Sequence, residues 1–196
     1  MKHVPLILTV LRAALGPVVV ALAFFDPWPV GFGACLVIAF LSDVFDGIIA
    51  RRLGVATPAL RRLDSIADSI FYVAALLAAY HLHREAIIQR WHVLAILAAL
   101  EAARYAFDYM KFGREASYHM WSSKAWGIGL FVGFFSLLAL GADGMAVDVA
   151  IWIGIVADIE GLAISLALRE WRSDVPSLVH AMKLRSVPVE SPEKRS

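Results

Sequence analysis

The chain has 196 residues, room for one domain, of which 60% are hydrophobic and 18% charged, against about 45–50% and about 25% in an ordinary soluble domain. A net charge of +1 argues against a nucleic-acid partner. The single cysteine, Cys35, excludes an intrachain disulfide framework and reads as a small packing residue in an apolar run.

A membrane span needs about 20 predominantly apolar residues. Six stretches qualify: roughly 5–25, 30–50, 64–81, 92–110, 122–141 and 148–168. A soluble helical bundle would need polar outer faces that these runs lack. The expected fold is therefore all-α, a polytopic membrane protein with six transmembrane helices. Lys2, the apolar run after it and Ala21-Leu22-Ala23 imitate a cleavable signal, but Arg12 interrupts the run, and the first stretch is read as a retained helix. No Pro/Gly/Ser-rich linker divides the chain, and no internal repeat is visible. Residues 1–182 are expected to form the membrane domain. The tail 183–196, "KLRSVPVESPEKRS", is polar and twice interrupted by proline, and is expected to be a disordered cytoplasmic extension.

Basic residues set the orientation. Loops 51–63 and 111–121 and the two tails hold Lys2, Arg51, Arg52, Arg61, Arg62, Lys111, Arg114, Arg169, Arg172, Lys183, Arg185, Lys194 and Arg195, whereas the opposite loops hold only Arg84 and Arg90. By the positive-inside rule both termini face the cytoplasm. Trp28, Trp91 and Trp121 lie near span ends, where indoles anchor at the interface.

Four aspartates stand where the second span ends and the third begins. Asp43 and Asp46 are three apart, Asp64 and Asp68 four apart, so each helix presents two carboxylates on one face. Ionised aspartate inside a span costs about 2.5–3.5 kcal/mol at the centre and less toward the ends, so the group needs cations. Arg51, Arg52, Arg61 and Arg62 can supply them as a structural ion-pair cluster. Divalent metal is the other solution: hard carboxylate oxygens suit Mg²⁺ or Mn²⁺, which such sites bind together with substrate phosphates. No His or Cys joins the set at zinc-ligand spacing. Gly47, directly after Asp46, leaves a bare stretch of backbone for a ligand, and Arg51 offers a fork suited to phosphate oxygens. Together these residues suggest a diphosphate site, in which two metals can stabilise charge as a phosphoryl bond breaks.

These residues resemble the signature of the CDP-alcohol phosphatidyltransferases, D-x-x-D-G-x-x-A-R, eight residues, then G-x-x-x-D-x-x-x-D. Asp43, Asp46, Gly47, Ala50, Arg51, Asp64 and Asp68 match at the same spacings, and Leu60 stands in place of the second glycine. In the first span, Thr9 and Arg12 look like the family's T-x-x-R, with Leu6 where an Asn often precedes it. The resemblance implies that Asp43, Asp46 and Asp64 ligate a pair of divalent ions, with Asp68 near the second. It implies that Thr9, Gly47, Ala50, Arg51, Leu60 and Arg61 border the CDP diphosphate, and that Asp68 is the base for an acceptor hydroxyl that expels CMP. Leu60 would narrow the nucleotide's space, and Arg61 or Arg62 is the expected compensating phosphate contact.

The fourth span carries Glu101, Arg104, Asp108 and Lys111 as one polar stripe. Two readings stand: internal pairing of Glu101 with Arg104 and Asp108 with Lys111, or a pocket in which Arg104, Lys111, Arg114 and Lys124 bind an anionic acceptor. Lys124 resembles in position a lysine of many family members. Tyr118 and His119 read as interfacial loop residues. In the last span Asp158 and Glu160 point to different faces, and one is expected to pair with Arg12 or Arg104. Gly129 and Gly133 form a small-x-x-x-small pair that can pack helices, including across a homodimer.

The leading expectation is Mg²⁺-dependent phosphatidyl transfer from CDP-diacylglycerol to a small alcohol, best glycerol 3-phosphate, with an inositol phosphate or serine as alternatives. The family points to a bacterial inner membrane. Membrane prenyltransferases also use aspartate pairs, Mg²⁺ and a diphosphate, but with more spans and two distant motifs. A non-catalytic Mg²⁺-binding transporter or scaffold is the alternative of another class.

Overall fold

The structure, a computed structural model, describes residues 3–55, 57–115, 118 and 120–186. Lys2, His119, Lys194, Arg195 and most of the expected tail lie outside the described residues. Among the described residues the regular elements are helices: α1 (Val4–Phe25), α2 (Pro29–Arg52), α3 (Pro58–Leu82), a short α4 (Arg84–Gln89), α5 (Trp91–Phe112), α6 (Trp121–Phe134) running into a wider π-helical turn (Phe135–Ala139), α7 (Met145–Ala167) and α8 (Leu178–Ser186). Among the described residues five helical stretches are long and apolar enough to cross a membrane: Val4–Phe25, Pro29–Arg52, Ala59–Leu82, Trp121–Ala139 and Met145–Ala167. α5 has the length, 22 residues, but Glu101, Arg104, Asp108 and Lys111 dilute its apolar character.

The long helices expose large apolar side chains, among them Ile7, Val10 and Phe25 on α1, Val73 and Leu77 on α3, and Trp152 and Val156 on α7. Apolar surface on this scale needs a partner, and hydrocarbon is the one that helices with internally satisfied backbones can meet. The protein is an integral membrane protein. Trp28, Trp91 and Trp121 are exposed at helix starts, as interfacial anchors require.

Two compact units divide the chain: residues 1–91 with 130–148, and residues 92–129 with 149–196. In the first, α1 buries Pro5, Thr9, Arg12, Gly16, Val19 and Ala23, a stripe of alternating four- and three-residue steps that makes one helix face. That face meets α3 closely. A Cβ on Gly16 would stand 3.3 Å from both Cγ2 and the carbonyl oxygen of Ile70, and α3 answers with buried Ala67, Ala74, Ala75, Ala78 and Ala79. Small residues allow this approach without a hydrophobic drive between helices in lipid. α2 and α3 also pack on the 131–139 segment, with Phe40 stacked on Phe131 at 4.6 Å and Tyr72 on Phe134 at 6.0 Å. Arg90, just before α5, reaches Asp148 in the first turn of α7 at 2.6 Å, Asp143 in the connection before it at 2.8 Å and the Ala86 carbonyl at 2.9 Å.

A tight turn positions the motif. α2 stops at Leu53, and Gly54 takes the left-handed conformation (φ 64°) that ends helices. Thr57 then caps α3 by accepting from Leu60 N–H at 3.2 Å, with Pro58 at the first helical position. α3 thus begins six residues before the expected span at 64.

In the second unit, α7 presents Gly154, Asp158, Gly161 and Ser165 at steps of four, three and four, one face. Gly154 admits Trp126 and Leu97, and Gly161 admits the Arg104 stem, where an added Cβ would lie 2.8 Å from Arg104 Cδ. Gly129 packs within the chain against Ala150 and Ile153. Tyr118, Met120, Ile164, Leu168, Val175 and Ala181 form a buried cluster, joined by Leu178 and Leu184 of α8. Residues 183–186 therefore continue a packed helix past the expected domain limit. Tyr118 is core, not interfacial, and burial holds its phenol above the ordinary range.

Candidate metal and diphosphate site

α2 and α3 bring their carboxylate pairs together as the spacings predict. Asp43, Asp64 and Asp68 each offer an oxygen, and these atoms lie within 4.8 Å of one another. All three are partly exposed, whereas Asp46 is buried. The cation among them comes from an unexpected place. It is Arg12 of α1, 1% exposed, whose Nη1 lies 3.1 Å from Asp43 Oδ1 and 2.9 Å from Asp64 Oδ1 and pairs with Asp68. Its Nη2 donates to Asp46 Oδ2, and its Nε reaches Ser42 Oγ at 3.5 Å. Ser42 in turn donates to the Ala39 carbonyl at 2.7 Å. Thr9, one turn before Arg12, donates to the Pro5 carbonyl at 3.0 Å and lies 3.5 Å from Asp46 Oδ2. The T-x-x-R pair is therefore the α1 edge of the aspartate cluster; of the two partners expected for the acids of the last span, Arg12 is engaged here and Arg104 is the one that pairs with Asp158.

The physical reason is reach. Arg12 lies on the buried stripe of α1 that faces α2 and α3, and its planar fork can serve several carboxylates at once. The expectation that Arg51, Arg52, Arg61 and Arg62 form the counter-charge missed a cation placed far away in sequence. Ser42 was also missed, although its four-residue distance from Asp46 marks it as sharing that face. Arg51 instead folds over Gly47: a Cβ on that glycine would meet Arg51 Nη1 at 3.3 Å. A guanidinium above bare backbone is a suitable bed for phosphate oxygens. Ala50 is buried, and Leu60 and Arg61 are half-buried in the first turn of α3.

The donor set fits a divalent ion. Arg12 meets four carboxylates at once, a concentration of negative charge that an apolar surrounding does not tolerate unpaired. Asp64 Oδ1 is buried and close to Arg12 but lacks the alignment of a hydrogen bond, so it retains capacity as a ligand. All donors are hard oxygens.

The second unit accounts for the polar stripe of α5. Arg104 Nε donates to Asp158 Oδ1 at 3.0 Å, and Lys111 Nζ donates to the Ser165 and Leu166 carbonyls at 2.7 and 3.3 Å. Ser165 donates to the fully buried Asp108 and accepts from Tyr118 at 2.9 Å. The stripe is thus tied to α7 through Arg104, Asp108 and Lys111. Glu160 accepts from Ser122 at 2.5 Å and from Leu178 N–H at 3.2 Å, capping α8. Arg114 lies over Trp171, and Lys124, exposed, over Trp121.

Apolar helices with a convergent cluster of carboxylates define a membrane protein with a group of aspartates able to hold a metal ion. The family model of the CDP-alcohol phosphatidyltransferases matches residues 2–159, and the chain belongs to that family. It is accordingly a phosphotransferase for substituted phosphate groups, of the kind that serves phospholipid biosynthesis. No curated protein matches the chain, and no solved structure does.

Proposed function

We propose that the protein transfers a phosphatidyl group from CDP-diacylglycerol to a small polar alcohol, with glycerol 3-phosphate as the first candidate acceptor, and that it requires Mg²⁺ or Mn²⁺. The observation that carries this reading is the convergence of Asp43, Asp64 and Asp68 beside a glycine overlain by Arg51. Bound divalent ions would stabilise negative charge on the diphosphate as its phosphorus–oxygen bond breaks. Asp43, Asp46, Asp64 and Asp68 hold the ions, and Gly47 and Arg51, with Thr9, Ala50, Leu60 and Arg61 at its borders, receive the diphosphate. The acceptor hydroxyl oxygen attacks the lipid-side phosphorus, its proton passes to an Asp68 carboxylate oxygen, and the bond to CMP breaks. In the second unit Arg114 and Lys124, and to a lesser extent Arg104 and Lys111, are the cations proposed to favour an anionic acceptor. An inositol phosphate is supported by the same cations, serine less well.

The proposed topology adds α5 to the five apolar helices, giving six spans with both termini and the motif at the cytoplasmic side of a bacterial inner membrane. Support comes from the distribution of Lys and Arg and from the ties of Arg104, Asp108 and Lys111 of α5 to α7, the kind of pairing that intramembrane ionisable groups make.

Purified protein in detergent, supplied with CDP-diacylglycerol, Mg²⁺ and a panel of alcohols, should release CMP only when the right acceptor is present. Chelation should abolish release, and Asp68→Asn should lower it by about 10²-fold or more, the scale of a lost general base. Absence of CMP with every acceptor would refute the proposal. Glycerol 3-phosphate being inert while serine reacts would refute the anionic-acceptor part alone.

A further inference from the structure

Arg12 touches the oxygens that would hold the ions. Its Nη1 pairs with Asp43, Asp64 and Asp68, the same three residues whose ligand atoms converge. Its remaining donors are fixed on Asp46 and Ser42. The side chain is almost fully buried, and its charge is permanent. Any cation that enters must share these carboxylates with a guanidinium that has no route to water.

We infer that Arg12 is a resident counter-cation of the cluster: it weakens the binding of divalent ions on their own and makes ions and diphosphate bind together. This rests on the proposed function and deepens it. Formal charges show why. Four aspartates and Arg12 (Asp43, Asp46, Asp64, Asp68 and one guanidinium) sum to minus three. Two divalent ions bring the site to plus one, and a diphosphate diester with two negative charges returns it to minus one. Without Arg12 the ions alone neutralise the site, and the diphosphate then leaves it at minus two. Arg12 therefore moves affinity from the ions to the diphosphate. Its position in α1 also ties three helices to one charge, so the device is part of the fold and not a mobile loop.

Mn²⁺ is the probe, with unbound ion counted by electron paramagnetic resonance on the full-length protein in detergent, with and without CDP-diacylglycerol. Arg12→Met should bind Mn²⁺ alone at least about tenfold more tightly than the wild type, since one buried like charge has been removed. Added CDP-diacylglycerol should tighten Mn²⁺ binding strongly in the wild type and weakly in Arg12→Met. Arg12→Lys, a shorter point charge that cannot serve four carboxylates, should shift Mn²⁺ affinity in the same direction by a smaller factor. Melting in EDTA should be lowered in Arg12→Met and recover on Mn²⁺ addition by more than the wild type gains. Should Arg12→Met fail to fold, Arg12→Lys decides. Equal or weaker Mn²⁺ affinity in the folded variant overturns the inference while leaving the metal site standing. Failure of the wild type to bind Mn²⁺, with or without CDP-diacylglycerol, overturns the metal reading itself and this inference with it.

Discussion

Gly47 and Leu60 show how single side chains set the nucleotide's space. A methyl at Gly47 would press on Arg51 Nη1 at 3.3 Å, so Gly47→Ala should displace the guanidinium and raise KM for CDP-diacylglycerol by about tenfold, the scale of mild overpacking. The helix itself should not suffer, because alanine is the better helix former by about 1 kcal/mol. A melting temperature that is unchanged or raised, together with the KM shift, distinguishes lost recognition from lost folding. Leu60 lies in the first turn of α3, one helical turn before Asp64, with its N–H held by Thr57. Leu60→Gly should retain CMP release and lower stability by about 0.5–1 kcal/mol, read by thermal unfolding in detergent. Loss of CMP release in a folded Leu60→Gly protein would show that leucine is a positive contact and not a simple obstruction. The seven matched motif letters were legible at this scale because carboxylate and glycine spacing carries their chemistry. Arg12 as the central cation was not, because a contact between residues dozens of positions apart leaves no local pattern.

At the scale of elements, α1 and α3 are joined through small residues, and Arg12 reaches the cluster only while they remain close. Gly16→Leu should force these helices apart, costing about 1–3 kcal/mol or more. Because Arg12 is one turn away, the same variant should also weaken CMP release, whereas a pure stability defect would be recovered by assay at low temperature. Gly54 and Thr57-Pro58 are stop and start signals at the turn between α2 and α3, although hydropathy alone placed the start of the third span at 64. The polar stripe of α5 was readable as a stripe, and the pairing of Arg104 with an acid of the last span was one of the two expected for it. The contacts of Asp108 and Lys111 with Ser165 were not readable, because serine spacing on α7 does not single out the face it will meet.

For the molecule as a whole, orientation is the open consequence of the charge distribution, and the lone cysteine makes it testable. In a Cys35→Ser background, Leu53→Cys lies in the turn after α2 and Asp26→Cys in the turn before it, both at exposed positions. A membrane-impermeant maleimide should label Leu53→Cys from the cytoplasmic side and Asp26→Cys from the opposite side. The reverse pattern would overturn the proposed topology. Arg12 and Arg90 in the first unit and Arg104 and Lys111 in the second are all bound to acceptors within their own unit.

Composition, run length and motif spacing by themselves determined that this is a helical membrane protein with two carboxylate pairs on adjoining helices. These properties are local: hydropathy acts over about 20 residues, and helical periodicity over three or four. That Arg12 sits among the aspartates, that Ser165 meets Asp108 and Lys111 of α5, and that Tyr118 and α8 belong to a core were decided only in three dimensions. Such choices depend on which faces come together, and a buried charge takes the partner within reach rather than the nearest one in sequence.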